Sequence, residues 1–408
     1  MAGGRGRRRA AATSVAKMKR AINKLSFVHN RSSNAKRCLP PASCPCVLPP
    51  DSRCLPSAFC LLLSAACFLL FTGCLNASAA TLHWNRQSSG TLGWLHSVFF
   101  LDQRSGWAVG SKGVLLATVD GGITWKLKTK PTEDSLQDIY FSDERNGWLV
   151  CEVNIYELKK NEQPRTYLLH TRDGGSTWER VNVNGGDNPV DSRRDSRADS
   201  RGDIDTRLVR VIFSRGGRGW VFGEAGTVYT TRDLGETWNR LQLPTSYLLL
   251  GGAFVDNYRG WLVGAGATIV QTADGGDTWH VSKLIDARGV RFTATSFVDN
   301  RIGWAVGAAG KIYRTNNGGR TWEPQESGVA IDLLDVKFLN DLEGWAVGTE
   351  GTAIHTADGG IHWTSEPTGT THPLERIFFA DRDHGWAVGF GGTIIAYVRD
   401  GAIPRLRP

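Results

Sequence analysis

Short apolar runs alternate with Gly-rich turns along most of the chain, and this pattern repeats. Each unit begins with an apolar run that ends in an aromatic residue, such as Leu95 to Phe100. A Gly-Trp pair follows, with its Trp seven residues after that aromatic residue. A Gly turn then leads to a third run, and a turn that ends in Trp leads to a fourth. Runs of β-branched and aromatic residues separated by Gly and Asp are typical of antiparallel strands, so we predict four strands per unit.

The Gly-Trp pair occurs seven times at a nearly fixed spacing. Successive Trp residues are 41, 72, 41, 43, 41 and 41 residues apart. They are Trp107, Trp148, Trp220, Trp261, Trp304, Trp345 and Trp386. Four strands in about 41 residues make one propeller blade. The sequence therefore predicts an all-β, seven-bladed β-propeller over residues 80–400, preceded by a targeting segment at 1–79 and followed by a tail at 401–408.

Ring closure is predicted from the spacing of the turn Trp residues. In regular units this Trp lies 16 residues before the next inner aromatic residue, as Trp125 does before Phe141. Trp84 also lies 16 residues before Phe100, although no unit precedes it. The seventh unit ends in a degenerate turn near residue 400 and has no turn Trp. We therefore expect the segment around Trp84 to be the outermost strand of blade seven, which removes a free sheet edge.

The turn before each fourth strand has the pattern Thr-x-Asp-Gly-Gly-x-Thr-Trp. A carboxylate or amide at its third position can accept bonds from nearby backbone N–H groups, while Gly supplies a positive φ. These Asp-box residues are predicted to be structural: Asp120, Asp173, Asp233, Asp274, Asn317 and Asp358. A calcium loop is the alternative, but calcium takes several oxygen ligands and each turn offers one carboxylate. We predict no metal site and no cofactor.

The formal net charge of +8 arises in the N-terminal region. After residue 74 the chain holds 36 Lys and Arg and 39 Asp and Glu, a net charge of −3. Domains that bind nucleic acid through its phosphates are usually basic. We therefore expect no nucleic-acid partner for the propeller.

Residues 1–79 are predicted to be a targeting segment rather than part of the propeller. Residues 1–50 contain no Asp or Glu, and the apolar run at 58–71 has the length of a signal-peptide core rather than a membrane-spanning helix. Cys74 follows a sequence similar to a lipoprotein processing site, so its lipidation would anchor the protein to a membrane. Signal-peptidase cleavage after Ala79, a bipartite organelle leader and a retained anchor are the alternatives. All of them place the propeller outside the cytoplasm, for example in the periplasm or on an outer surface.

Blade two departs from the repeat at two places. Trp148 and Trp178 are 30 residues apart where other units have 18, which inserts residues within 152–167. Trp178 and Phe213 are 35 residues apart where other units have 16, which inserts a stretch rich in Asp, Arg and Ser. Alternating strand direction places both insertions at one end of the disc, here called the insertion face. The opposite end, with the Asp-box turns, is called the Asp-box face.

Long loops on a rigid scaffold commonly carry binding residues. We therefore regard Tyr156 and Tyr167, which belong to the first insertion, as candidate partner contacts. The alternative for both insertions is a tolerated, disordered loop, since the second one lacks apolar residues and mixes charges.

Basic residues recur in the loop before the Gly-Trp pair on the Asp-box face. They are Arg104, Arg145, Arg218, Arg259 and Arg301. An arc of Arg at this rim would attract an acidic partner, and an ordinary solvated edge is the alternative. Arg210 and Arg376 lie at the mouths of inner strands, where charged residues could hold a polar ligand or line a water-filled channel.

The repeat resembles a known family. The unit Phe-x-Asp-x-x-x-Gly-Trp-Ala-Val-Gly, followed by the Asp-box turn, is similar to the Asp-box (BNR) propellers of the photosystem II stability and assembly-factor type. The resemblance implies a periplasmic factor, or one of the thylakoid lumen in a photosynthetic host, that binds a reaction-centre precursor subunit and performs no chemistry. The family's Arg-rich surface would correspond to the Arg rim. We accordingly expect a monomeric scaffold with a membrane-protein complex or its precursor as partner.

A glycoside hydrolase is the alternative function, because sialidase-like enzymes also use Asp-box propellers. A retaining sialidase would need three converging Arg, a Tyr nucleophile with its Glu, and an acid/base Asp. The strand mouths offer Arg210 and Arg376, with Arg291 less well placed, and no matching Tyr. We therefore predict no catalytic residues.

Overall fold

The computed structural model describes residues 82–154, 156, 164–181, 183 and 206–399. These residues form seven sheets, antiparallel except for one parallel edge strand, arranged as the blades of a β-propeller, which confirms the predicted fold class. The targeting segment with Cys74, the tail at 401–408, the Asp/Arg/Ser-rich stretch and most of the first insertion lie outside the described residues. Within the described part of the chain, no helix combines the length and apolar character that crossing a bilayer requires.

Each blade has four antiparallel strands, and blade five has a fifth strand at its outer edge. The first strand of each four lies innermost, against its counterparts in the neighbouring blades. Blades one and two contain β2 (Leu95–Phe100), β3 (Gly106–Gly110), β4 (Leu115–Thr118), β5 (Lys126–Leu127), β6 (Ser135–Phe141), β7 (Gly147–Glu152), β8 (Thr166–Thr171) and β9 (Glu179–Val181). Blades three and four contain β10 (Leu208–Phe213), β11 (Gly219–Gly223), β12 (Val228–Thr231), β13 (Asn239–Leu241), β14 (Leu249–Phe254), β15 (Gly260–Gly264), β16 (Thr268–Thr272) and β17 (His280–Val281).

The remaining three blades follow the same order. Blade five contains β18 (Lys283–Leu284), β19 (Phe292–Phe297), β20 (Gly303–Gly307), β21 (Ile312–Thr315) and β22 (Thr321–Gln325). Blade six contains β23 (Leu333–Phe338), β24 (Gly344–Gly348), β25 (Ala353–Thr356) and β26 (Thr364–Ser365). Blade seven contains β27 (Leu374–Asp381), β28 (His384–Gly389), β29 (Ile394–Arg399) and β1 (Leu82–Gln87). Short 3-10 turns occupy Ser111–Gly113, Glu224–Gly226, Ala308–Gly310, Thr349–Gly351 and Phe390–Gly392.

The N-terminal strand closes the ring as predicted. β1 pairs antiparallel with β29, with Leu82 opposite Arg399. Its Trp84 lies edge-on to Phe379 of the inner strand, with 6.2 Å between ring centroids. Trp125 and Phe100 of blade one form the same edge-on pair at 5.8 Å. Trp84 therefore occupies the place that the turn Trp occupies in the other blades.

The Gly-Trp pairs join neighbouring blades by aromatic stacking. Trp304 of blade five lies flat on Phe338 of blade six, with centroids 3.4 Å apart and planes 3° apart. Trp386 of blade seven stacks in the same way on Phe100 of blade one, at 3.5 Å. The Gly before each Trp leaves room for the aromatic ring of its own blade, because a Cβ at Gly344 would lie 2.5 Å from the Phe338 ring. The repeated dipeptide thus builds the contact between blades.

The Asp-box residues close their turns by hydrogen bonds. Asp173 accepts a bond from the Thr171 hydroxyl at 2.8 Å and from the Thr177 backbone N–H at 2.8 Å. Hydrogen bonding from the Thr177 side chain is the main reason that the pKa of Asp173 falls to about 2. In blade six, His362 replaces the Thr and its Nδ1 lies 2.7 Å from the Asp358 carboxylate. The six predicted Asp-box residues all make the bond to the preceding Thr.

Candidate functional site

Four of the five rim Arg residues are exposed on the Asp-box face, and three of them, Arg104, Arg145 and Arg301, share one loop position. The Arg104 carbonyl accepts a bond from Gly121 N–H at 2.9 Å, and Arg145 and Arg301 accept the equivalent bonds from their own Asp-box turns. Each of these Arg residues follows its inner aromatic residue by four positions. None of the three makes an ion pair with a residue that the structure describes. Their guanidinium groups are therefore available to carboxylates from outside.

The prediction that Arg218 belongs to the exposed rim is corrected. Its side chain is buried, 3.4 Å from Asp277, with its guanidinium carbon 5.7 Å from the centroid of the Trp220 ring. Arg218 and Arg259 follow their aromatic residues by five positions, directly before Gly-Trp, rather than by four. Arg259 is exposed but lies 3.6 Å from Asp256. The one-residue difference in loop position was visible in the sequence and separates these two from the other three.

The rim is balanced in charge rather than broadly positive. Each exposed Arg shares its loop with an Asp, namely Asp102, Asp143, Asp256 and Asp299. Asp102 accepts bonds from the backbone N–H groups of Arg104 at 2.7 Å and Ser105 at 2.6 Å. These bonds lower the pKa of Asp102, and the bond from Ser105 has the larger effect. Asp102 is therefore ionised at neutral pH. Attraction at this rim therefore acts through individual guanidinium groups and at short range.

Arg210 and Arg376 lie inside the central channel. Nη2 of Arg210 is 3.4 Å from Oδ1 of Asp335, which links blade three to blade six across the ring. Nη2 of Arg376 is 3.8 Å from Oδ1 of Asp138, which links blade seven to blade two. Their side chains are 9% and 15% exposed and line the channel, which is one of the two alternatives stated for them, and a polar ligand held there stays a prediction. Both therefore join blades that are not neighbours in the ring.

The acidic partners of these Arg residues also bind the backbone of the next blade. Asp138 accepts a bond from Val211 N–H at 3.0 Å, and Asp335 accepts one from Ile377 N–H at 3.1 Å. Burial raises the pKa of both carboxyl groups, while the charge of Arg210 opposes that effect. Both carboxyl groups therefore hold an inner strand of the following blade. Among the described residues no group of three or more His, Cys, Asp or Glu is arranged to hold a metal ion.

His96 lies in the inner strand of blade one, at the insertion-face mouth of the channel. The pH dependence of stability tests whether its imidazole is buried there. Burial, reinforced by the positive charge of Arg207, lowers its pKa to about 4, against about 6.5 in the unfolded chain. Because the unfolded state takes up the proton first, His96 reduces stability as the pH falls from about 6.5 to about 4, with no further loss below. We expect His96→Gln to shrink the difference in unfolding free energy between about pH 7 and pH 4 by about 2–3 kcal/mol. Urea unfolding across that range measures it, and parallel profiles for the two proteins would contradict it.

The two Tyr candidates of the first insertion are placed differently. Tyr156 is 94% exposed on the insertion face and is available for contact. Tyr167 is buried in β8, where its hydroxyl donates to Asp134 at 2.7 Å and Arg180 lies 4.0 Å above its ring. The prediction that Tyr167 contacts a partner is therefore corrected. The insertion ends before β8, so Tyr167 is part of the blade.

An ionic network that sequence reasoning missed joins the roots of both insertions. Glu152 accepts from Arg165 at 3.1 Å and from Arg207 at 2.9 Å. Arg165 also lies 3.3 Å from Glu224 of blade three. Arg165 and Arg207 follow the first and the second insertion, so the blade residues that flank the two insertions lie side by side. Charged residues immediately next to both insertions were the available signal.

Exposed aromatic residues on the insertion face were also missed. Trp94 and Phe390 are 39% and 46% exposed and pack edge-to-face with centroids 5.4 Å apart. They come from the loop before β2 and the turn before β29, which the ring closure brings together. Neither residue interrupts the repeat, so the sequence pattern alone gave no signal for them.

The family model of the photosynthesis system II assembly factor YCF48 matches residues 76–189, 231–328 and 324–398, well over half of the chain. The chain belongs to this family. Among curated proteins none matches significantly.

Solved structures share the fold at low sequence identity. YCF48 bound to a D1 peptide is 21% identical with a TM-score of 0.59, covering 78% of this chain and 97% of its own. YCF48 from Cyanidioschyzon merolae is 20% identical with a TM-score of 0.59, covering 78% and 98%. The GH74 xyloglucanase from Xanthomonas campestris is 13% identical with a TM-score of 0.57, covering 80% and 55%. At these identities the structures support the propeller fold alone, whereas the family membership rests on the sequence match.

Proposed function

We propose that this protein is a non-catalytic scaffold that binds a segment of a membrane-protein subunit, or its precursor, during assembly of a complex outside the cytoplasm. The match to the assembly-factor family over most of the propeller carries the proposal. The family member bound to a D1 peptide supports a protein segment as the kind of ligand. The predicted targeting segment supports the location, with the periplasm, an outer bacterial surface or a thylakoid lumen as alternatives. Lipidation at Cys74 would add a membrane anchor.

We infer that Arg104, Arg145 and Arg301 contact acidic groups of this partner. The three side chains are exposed and make no ion pair with described residues. The Asp residues of the same loops offset their charge over longer distances, so recognition would depend on direct guanidinium–carboxylate pairs. Such pairs fix the position of a ligand as well as attracting it.

Replacing these three Arg residues with Ala is expected to weaken partner binding about tenfold, since exposed charge pairs contribute up to about 1 kcal/mol each. The measurement is the affinity of the full chain for a D1 peptide, by fluorescence anisotropy at two salt concentrations. It is repeated as affinity capture from native membranes with identification of the captured subunit.

The control for this experiment is a variant with the same change in charge on the opposite face. Lys112, Arg288 and Lys311 are exposed on the insertion face, and their replacement with Ala should leave binding unchanged. Equal losses in both variants would assign the effect to net charge rather than to the rim. If the unaltered protein captures no membrane subunit and binds no peptide, the scaffold proposal fails.

A further inference from the structure

The outer edges of the blades differ in length. The outermost strands β5, β9, β13, β17 and β26 have two or three residues, whereas β22 has five and β1 has six. A long outer strand presents a row of backbone N–H and C=O groups that can pair with another strand. β22 is covered at Thr321 and Trp322, because β18 lies beside them in parallel. No described strand pairs with the outer edge of β1.

The covered edge of β22 demonstrates how such a segment binds. Lys283 N–H donates to the Arg320 carbonyl at 3.0 Å, and Ile285 N–H donates to the Trp322 carbonyl at 3.2 Å. The Leu284 side chain between them packs against the apolar cluster shared by blades four and five. Two backbone bonds and one apolar side chain are thus enough to add a fifth strand to a blade.

The outward-facing groups of β1 can be identified from the other blades. The residue three positions after the turn Trp donates inward, as Glu366 does to the Ala353 carbonyl at 2.9 Å. Gln87 is three positions after Trp84, and neighbouring residues of a strand point to opposite edges. Trp84 and Arg86 therefore direct their backbone groups outward. Pro324, the equivalent of Arg86 in β22, lacks an N–H and still pairs opposite Tyr313, as expected for an outward position.

Arg86 stands where two clefts meet beside this edge. One cleft is lined by residues 365–372 of the connection between blades six and seven, and the other by residues 88–92 with Gly391 and Gly392. The Arg86 side chain is exposed and makes no ion pair with a described residue. A segment lying along β1 could therefore place a carboxylate on Arg86 and a side chain in a cleft.

We propose that the outer edge of β1 binds an extended segment of a partner protein as a fifth strand of blade seven, with an acidic group of that segment on Arg86. Addition of a strand to an exposed sheet edge gives affinity through main-chain hydrogen bonds and specificity through adjacent side-chain sites. This surface lies on the outer wall of the propeller. It is separate from the Arg rim and goes beyond the function proposed above, because it does not depend on which subunit is assembled.

Two variants of Arg86 distinguish the contribution of its backbone N–H to peptide binding from that of its charged side chain. Arg86→Ala removes the guanidinium and keeps the outward N–H, whereas Arg86→Pro removes both and keeps the inward pairing with β29. The probe is a phage-displayed library of random dodecapeptides selected on the full chain. Selected peptides are expected to bind Arg86→Pro about five- to tenfold more weakly than Arg86→Ala, the loss corresponding to one main-chain bond. Thermal melting confirms that both variants are folded.

Hydrogen exchange locates the bound peptide. The backbone amides of Trp84 and Arg86 should exchange rapidly in the free protein and slowly with peptide bound, while those of Asn85 and Gln87 stay protected throughout. Selection of no peptide, equal affinity for the two variants, or protection at another surface would overturn the proposal. A slowly exchanging Arg86 amide in the free protein would also overturn the proposal if truncation after residue 399 made it exchange rapidly. In that case the chain's own tail would cover the edge.

Discussion

Replacing Trp84 with Ala is expected to lower the free energy of unfolding by about 3–5 kcal/mol, the range for removing a buried large aromatic side chain. Trp84 is 6% exposed and lies 5.6 Å from Trp345 and 5.2 Å from Tyr397, centroid to centroid. It is the main side chain by which β1 holds to the core between blades six and seven. Urea unfolding followed by circular dichroism measures the loss as a shift of the midpoint.

Two further variants, Trp84→Phe and Trp94→Ala, serve as controls. The indole N–H of Trp84 has no partner among the described residues, so Trp84→Phe leaves no acceptor unpaired and should cost less than about 1.5 kcal/mol. Trp94→Ala removes a half-exposed indole from the surface and should cost much less than Trp84→Ala. If Trp84→Ala unfolds within about 0.5 kcal/mol of the unaltered protein, β1 does not close the ring.

Removing Arg210 alone is expected to cost about 3–5 kcal/mol, because it leaves a buried carboxylate without its partner. Arg210→Met keeps the length of the side chain and removes the charge. In this variant Asp335 has lost its cationic partner. We therefore expect its pKa, which burial already raises, to rise further. Since its folded pKa exceeds its unfolded pKa, the loss should be smallest below the unfolded value near pH 4 and should grow as the pH rises.

The double variant distinguishes a charge effect from a packing effect. Asp335→Asn removes the charge but keeps an oxygen for the Ile377 N–H, which now donates to Asp335 at 3.1 Å. Combined with Arg210→Met, it should recover much of the stability lost in the single variant. A double-mutant cycle from urea midpoints gives the coupling energy. Additive losses would mean that the two side chains do not interact across the channel.

The repeat was predictable because its residues act locally. Trp84 could be assigned to blade seven from spacing alone, since its distance to Phe100 equals that of every regular turn Trp, and the structure places it there. The structural role of the Asp-box residues was predictable for the same reason. Their carboxylates accept hydrogen bonds from groups at most four residues away, as Asp120 does from the Thr124 backbone N–H. Period and turn chemistry are properties of neighbouring residues, so one sequence contains them.

The channel and the rim were less predictable because they depend on contacts between distant blades. The Arg210–Asp335 pair joins residues 125 positions apart, and no pattern in either strand indicates which charges face each other across the ring. Arg218 and Arg104 both lie in the loop before a Gly-Trp pair, yet a shift of one position is accompanied by burial of the first beside Asp277. Tyr167 was assigned to the insertion because the length of β8 was not evident from the spacing.

The pairing of Leu82 with Arg399 also determines when the ring can close. β1 is the first strand to be synthesised, yet its partner β29 is the last, so their contact has the largest sequence separation in the propeller. Closing so long a loop carries an entropic cost that grows slowly with its length, and it must wait until the final strand is complete. Blades one to six can assemble from neighbouring segments beforehand. We therefore expect the two ends to dock late in folding, and joining them covalently by circular permutation would convert this step into formation of a local hairpin.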